Sequence, residues 1–352
     1  MLIHRIKYIV VVATLLSVAC FSECSEHGDT QLQGIDETTF VFENGDVSLT
    51  GWLRVPVSDH RVPVVVFLSS SGNTRGKNEH YLYVSSHLNQ AGIGVFLYDK
   101  RGVGASTGQW ESSSFFDLAG DGLAAVELIK DHPSVDPEAI GLWGISQGGW
   151  LGPLVASQSD DVSFVIMVSG PAVSPMDQKL FQTANQYRNQ GLNENELTEA
   201  ITFLELLHVY LGNPVNFDEV SQALDVVKAK PWFQNIALEG LGPNAALATP
   251  SYIESNPQVF RYFREDAPYD PIPPLLNTKV PLLALYGARD VDVPIDTSIH
   301  VLDSIMSQNG NDDLTIHIFE DANHPMLAPG GNPYVENYAE TMTQWVTERF
   351  QK

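Results

Sequence analysis

The stretch Ala139-Ile140-Gly141-Leu142-Trp143-Gly144-Ile145-Ser146-Gln147-Gly148-Gly149-Trp150 is an apolar run that breaks on glycine and serine and then turns helical. It contains a complete G-x-S-x-G. A serine on a tight strand-to-helix turn sits in strained backbone geometry with its hydroxyl pushed clear of the sheet, and side chains beside it would collide with strand or helix. Gly144 and Gly148 meet that need. Ser146 is therefore the expected nucleophile. The free amides at the start of the following helix point at the same spot, where the helix dipole favours negative charge.

Upstream, residues 39–56 alternate on both sides of Asn44-Gly45, which predicts an antiparallel hairpin at a sheet edge. Residues 62–68 and 94–98 are continuous apolar runs, each expected as a strand buried on both faces. Helices are expected over 78–91, 114–131 and 147–157, the last kinked by Pro153, which has no amide to donate. Residues 163–168 give one more strand. This rhythm predicts an α/β fold with a mostly parallel, doubly wound sheet.

The rhythm stops over 171–277, where 196–211 and 218–228 have helical periodicity and no strand is convincing. The segment reads as an α-helical cap inserted between two strands. Its Phe203, Leu206, Leu207, Trp232, Phe233, Phe260 and Tyr262 are expected mainly in packing rather than in a pocket. The sheet resumes at 280–286 and 314–319, and a helix over 335–350 closes the chain. The domain reading is a signal segment 1–24, a flexible spacer 25–36, a core in two parts, 37–170 and 278–352, and the cap 171–277.

At 352 residues the chain suits one large α/β domain with an insertion, or two modest ones. A formal net charge of −24 argues against nucleic acid and against binding anionic membranes through basic patches. His4-Arg5-Ile6-Lys7 and the short apolar run 8–19 read as a targeting segment, so export to the periplasm or medium is expected. Both cysteines, Cys20 and Cys24, end this segment, leaving the folded part without a disulfide framework. Leu16-Ser17-Val18-Ala19-Cys20 resembles a lipoprotein cleavage box with Cys20 acylated, a lipid anchor being the one membrane attachment expected. A plain secretory signal cleaved a few residues on is the other reading.

A serine hydroxyl needs a base to take its proton and a third group to hold that base in the right tautomer. In open α/β sheets such partners come from loops at the carboxyl ends of strands. Leaving the 280–286 strand, Gly287-Ala288-Arg289-Asp290-Val291-Asp292 offers Asp290, preferred as the earlier on the turn, and Asp292 as the fallback. Leaving the 314–319 strand, Glu320-Asp321-Ala322-Asn323-His324-Pro325 offers His324 as the base. His80, His87, His132, His208, His300 and His317 fall in expected helices, at their ends or mid-strand. For the oxyanion hole, one donor is the amide of Gln147 and the other comes from Ser69-Ser70-Ser71-Gly72-Asn73, with Ser71 assigned and Gly72 the near alternative. No metal-ligand spacing, cofactor motif or phosphate loop is present, so no cofactor is expected.

From about residue 40 onward the chain resembles the α/β-hydrolase fold, and within it exported bacterial hydrolases of the serine-aminopeptidase-like and acyl-esterase-like group. The likeness is carried by Tyr98-Asp99-Lys100-Arg101-Gly102-Val103-Gly104-Ala105-Ser106-Thr107-Gly108, by Gly144 to Trp150 and by Gly287-Ala288-Arg289-Asp290. It implies Ser146, Asp290 and His324 as triad, and 99–108 as a structural turn near the rim with no catalytic role. Ser69-Ser70 stands where relatives usually have His-Gly. The expected function is a cofactor-independent serine hydrolase cleaving carboxylic esters through an acyl-enzyme. The alternatives are an aminopeptidase, other peptidase or thioesterase on the same triad, and a non-catalytic envelope binding protein. An amine-capturing peptidase needs a carboxylate pair in the cap, for which Glu265 and Asp266 are candidates.

Overall fold

In the computed structural model of the chain, residues 34–234, 247–330 and 334–351 are described. The expected signal segment, Cys20 and nearly all of the spacer lie outside the described residues. β1 (Ile35–Asn44) and β2 (Val47–Pro56) pair antiparallel, and Gly45 takes the positive φ, +60°, that closes the tight turn between them. β3 (Val62–Leu68) leads through α1 (Glu79–Gln90) to β4 (Gly94–Tyr98), and α2 (Phe115–Ile129) leads to β5 (Val135–Ile145). α3 (Gln147–Ala156) then feeds β6 (Phe164–Val168).

Local chemistry sets these boundaries. The Asn78 side chain accepts the Tyr81 amide at the start of α1, and Ser114 and Asp117 form a reciprocal capping box at the start of α2. α3 does not end at Pro153. It continues to Ala156, because a proline this close to the C-terminal end removes a single hydrogen bond, and the Ser157 amide still donates to the Pro153 carbonyl at 2.8 Å.

Between β6 and the next strand lie α4 (Pro175–Asn189), α5 (Glu194–Gly212), α6 (Phe217–Lys228), α7 (Pro250–Ser255), a π-helical stretch Tyr262–Asp266 and α8 (Ile272–Asn277). All but α8 contribute to a hydrophobic cluster of their own that includes Phe203, Leu207, Trp232, Phe233 and Phe260, with Leu206 packed against it, whereas Leu275 of α8 joins the core of the sheet. β7 (Leu282–Gly287), α9 (Ile295–Asn309), β8 (Leu314–Phe319) and α10 (Tyr338–Phe350) complete the chain. Helices α4, α7 and α8 within the cap, and α9 after β7, are additions to the sequence expectations.

The eight strands form one sheet in the order β1-β2-β4-β3-β5-β6-β7-β8, with β2 antiparallel to β4 and all pairs from β4 to β8 parallel. Side chains alternate through it. Val64, Val66 and Leu68 face Leu118, Leu151 and Leu302, whereas Val65 and Phe67 face Tyr81, Leu88, Met342 and Trp345. Strands covered on both faces must be apolar throughout, and every residue of β3, β4, β6 and β7 is buried. The parallel run puts the carboxyl ends of β3, β5, β7 and β8 on one edge. The winding reverses between β3 and β5, where such sheets leave a crevice. No helix among the described residues is long and apolar enough to cross a membrane.

Candidate active site

At the end of β5, Ser146 has φ +55° and ψ −117°, a conformation that costs a non-glycine residue about 1–3 kcal/mol. Neighbouring hydrogen bonds hold it there. Its amide donates to Val168 O at 3.0 Å, and its carbonyl accepts from the Gly149 amide at 2.8 Å. A Cβ on Gly144 would run into the Gly148 carbonyl, and one on Gly149 into the Cα of Gly170. The strand and helix close this tightly only because those positions lack side chains. Gly144→Ala is expected to cost about 2–3 kcal/mol of stability through that overlap. A urea midpoint equal to that of the wild type would contradict it.

The loops after β7 and β8 bring their residues together. The Nδ1–H of His324 donates to Asp290 Oδ2 at 2.8 Å, and the other carboxylate oxygen accepts from the amides of Asp292 at 2.8 Å and Val293 at 3.0 Å. The Asp290 side chain is wholly buried, so these bonds replace its hydration. With the proton on Nδ1, the neutral ring keeps its lone pair on Nε2. The loops can approach because Gly287 has no side chain: a Cβ there would lie 2.5 Å from Ala322 O. Ser169 Oγ donates to the His324 carbonyl at 2.8 Å and pins the histidine backbone to the end of β6.

Burial pulls the His324 imidazole down, but the hydrogen bond and charge of Asp290, helped by the Asp292 charge, outweigh it and raise the ring above its ordinary value. Nearby His80 behaves in the opposite way. Burial and the His324 charge push it to about 4, and its Nε2 pairs with the Tyr338 hydroxyl at 3.1 Å. It stays neutral where His324 titrates.

Ser146 and His324 line a cavity of about 530 Å³ under the cap. Ser71, Gly72 and Gln147 form one wall, Trp150 and Phe115 the apolar side, and Gln178, Tyr262 and Asp266 of the cap the roof. Tyr262, expected in packing, is thus a cavity residue. A second cavity of about 360 Å³ shares Ser71, Ser146 and His324 and extends past Asn73 and His80. The serine therefore stands between two spaces. A larger cavity, about 1160 Å³ along Arg54, His60, His87 and Phe350, contains none of these groups.

The imidazole Nδ1–H goes to Asp290, and Asp292 serves the cap. Its carbonyl accepts from Gln178 Nε2 at 2.6 Å and its carboxylate from Gln182 Nε2 at 2.8 Å, so α4 is tied to the loop that carries Asp290. Asp266 reaches the cavity, but both its oxygens are bound by the Arg261 guanidinium, whose Nη1 also lies 3.5 Å from Glu265. The acidic pair is engaged within the cap rather than free.

Asp290, Asp292 and His324 have ligand atoms within 4.8 Å of one another, the one such cluster among the described residues. A cation there would compete with the imidazole N–H and the two amides already bound to Asp290. Sequence reasoning missed Lys100, Gln178 and Gln182 as cavity residues, since their partners lie far away in the chain, and also Arg261, whose Nε donates to the distant Glu111 carbonyl at 3.1 Å.

Known proteins give matching comparisons. The serine aminopeptidase family matches 63–232 and the prolyl oligopeptidase family matches 240–352. The polyketide transferase grgF of Penicillium sp is 30% identical over 149 residues, 42% of this chain and 47% of that protein. The polyketide transferase claH of Penicillium crustosum is 26% identical over 185 residues, 51% of this chain and 58% of that protein. The chain therefore matches about half the length of these curated relatives. Among solved structures, an esterase of Pyrococcus furiosus aligns at 15% identity over 94% of this chain and 97% of its own, with a TM-score of 0.56. The α/β hydrolase GrgF from Penicillium sp. sh18 aligns at 18% identity over 90% of this chain and 100% of its own, with a TM-score of 0.57. Sheet order, the elbow serine and the two family matches, with the solved structures, give the chain the fold of the α/β-hydrolase superfamily.

Proposed function

We propose that the protein is a carboxylesterase working through an acyl-enzyme. Ser146 attacks the ester carbonyl, His324 Nε2 takes the hydroxyl proton and returns it to the leaving alcohol, and buried Asp290 holds the ring and stabilises the imidazolium. The amides of Gln147 and Ser71 receive the oxyanion. Water then attacks the acyl-enzyme by the same route, and the two cavities beside the serine separate acyl from alcohol. The observation that carries this reading is the 2.8 Å bond between His324 and a wholly buried Asp290, on the rim of the cavity that Ser146 lines.

Ester is favoured over amine-terminated peptide because Arg261 already holds Asp266 and Glu265, the carboxylate pair that the cap would offer to an ammonium group. The test is turnover of short p-nitrophenyl esters against amino-acid p-nitroanilides. Ester cleavage is expected to dominate, and cleavage of the anilides alone would sink the reading.

Thioester cleavage is the second reading, favoured by a thiohydrolase, aneE of Aspergillus aculeatus, 38% identical over 66 residues, and by the polyketide transferases above. An acyl thioester in the same assay separates the two. We also propose export, supported by the basic start and short apolar run before Cys20.

A further inference from the structure

Lys100 sits in the turn after β4, just 2% exposed, inside the wall of the Ser146 cavity. Its ammonium donates to Ser70 O at 2.9 Å, Gly72 O at 3.3 Å and Gln147 Oε1 at 3.0 Å. These acceptors are neutral, so a buried cation spends its three donors on two short segments that converge on the serine. Ion pairing alone does not explain such a site, because the neighbouring Arg101 answers Asp121 directly at 2.6 Å.

The peptide plane gives the bonds a consequence. Ser70 C=O and Ser71 N–H belong to one planar trans unit and point in opposite directions. Fixing the carbonyl on Lys100 therefore fixes the direction of the amide. A cationic donor on the carbonyl also polarises the unit and strengthens its N–H as a donor. The bond to Gln147 Oε1 fastens the residue that supplies the other amide.

We propose that Lys100 is a positioning residue that aims and polarises the Ser71 oxyanion donor by holding the Ser70 carbonyl of its peptide unit, and that it ties this unit to the Gln147 side chain. This rests on the serine-hydrolase reading above, with Ser71 and Gln147 as the donors. Lys100 acts through these bonds, not on the reacting atoms.

Protonation of the clamp sets its strength. Burial lowers the Lys100 ammonium to about 8, against the pull of the Asp121, Asp266 and Glu111 carboxylates. Asp121 comes from α2, where it pairs with Arg101, and Asp266 from the cap, where it pairs with Arg261; Glu111 lies in the turn Trp110–Ser112, beside the Trp110 ring 5.5 Å from the ammonium. His324 and Asp292 face the same cavity. Below that pH the clamp has three donors and a charge. Above it one donor and the charge are lost.

The test is steady-state hydrolysis of p-nitrophenyl acetate by the full chain between pH 6 and 10. Wild-type kcat is expected to fall through an alkaline limb near pH 8. Lys100→Met should lower kcat about 100-fold, the scale of one lost oxyanion donor, with KM changed by no more than about twofold. Lys100→Arg, which stays charged, should remove the alkaline limb. Three results would each overturn the proposal: a wild-type kcat that is flat to pH 9.5, a limb near pH 8 that persists in Lys100→Arg, or a folded Lys100→Met that keeps wild-type kcat or changes KM alone. If Lys100→Met does not fold, the wild-type and Lys100→Arg profiles decide. Failure of the underlying reading is seen separately, as undiminished hydrolysis by Ser146→Ala.

Discussion

Ser146→Ala is expected to lower ester hydrolysis by roughly 10⁵-fold, to a residue of catalysis supplied by the oxyanion amides and binding alone. The fold should survive, since alanine removes only the hydroxyl. The φ of +55° was already borne by a β-carbon, and the bonds that hold the turn are main-chain bonds through Val168 and Gly149. Unchanged thermal unfolding with activity gone is therefore the expected pair of results. Activity within tenfold of wild type would place the nucleophile elsewhere.

Asp290→Asn is the second large effect, about 10⁴-fold in kcat. The amides of Asp292 and Val293 donate to one oxygen of the carboxylate. In the variant the amide oxygen must face them, because the amide nitrogen could not accept. That leaves the amide NH₂ aimed at His324 Nδ1, which must then be unprotonated, and drives the ring proton to Nε2, toward the serine it should deprotonate. The pH profile carries a second sign. In the wild type the imidazole is raised, so kcat/KM, which needs the neutral ring, should reach its acid half-point above the ordinary histidine value of about 6.5. Removing the Asp290 bond and charge leaves burial dominant, and the half-point should move down. A half-point that stays put would mean that Asp290 does not govern the ring.

Linkage runs the other way for stability. A histidine raised on folding adds stability that is fully present below its unfolded value and is lost as pH rises through the folded one. The acid range thus favours the fold at the cost of the neutral base.

Much of this was legible in the chain because it is written locally. The Gly144-Ile145-Ser146-Gln147-Gly148 turn needs small neighbours whatever surrounds it, the Asn44-Gly45 turn encodes its own hairpin, and doubly covered strands must be continuously apolar. His324 could be picked out because it stands just past a strand end. Helix α4 could not: Gln178, Gln182 and Asn185 give it a polar face that looks solvated in sequence, but it lies against the Asp290 loop, where those amides bond Asp292 and Val291.

Buried charge was hidden for a related reason. Lys100 reads as a surface residue in a glycine-rich turn, and its acceptors at Ser70, Gly72 and Gln147 lie 28 to 47 residues away. The resemblance treats 99–108 as a structural turn, and most of it is one: Asp99 accepts the Gly76 amide, and a side chain at Gly104 would strike the Asp99 carboxylate. Lys100 is the member of that turn that faces the cavity. Asp266, a candidate for binding an amine, has its partner only five residues away, but the pairing depends on the π-helical turn over Tyr262–Asp266, which brings the Arg261 guanidinium onto both of its oxygens.

The most direct measurement is labelling of the purified protein with a fluorophosphonate, followed by mass spectrometry of the peptide that spans residue 146. One adduct on Ser146, absent from Ser146→Ala and forming more slowly below the histidine half-point, is the result expected. Equal labelling of wild type and variant, or an adduct on another residue, would contradict the assignment.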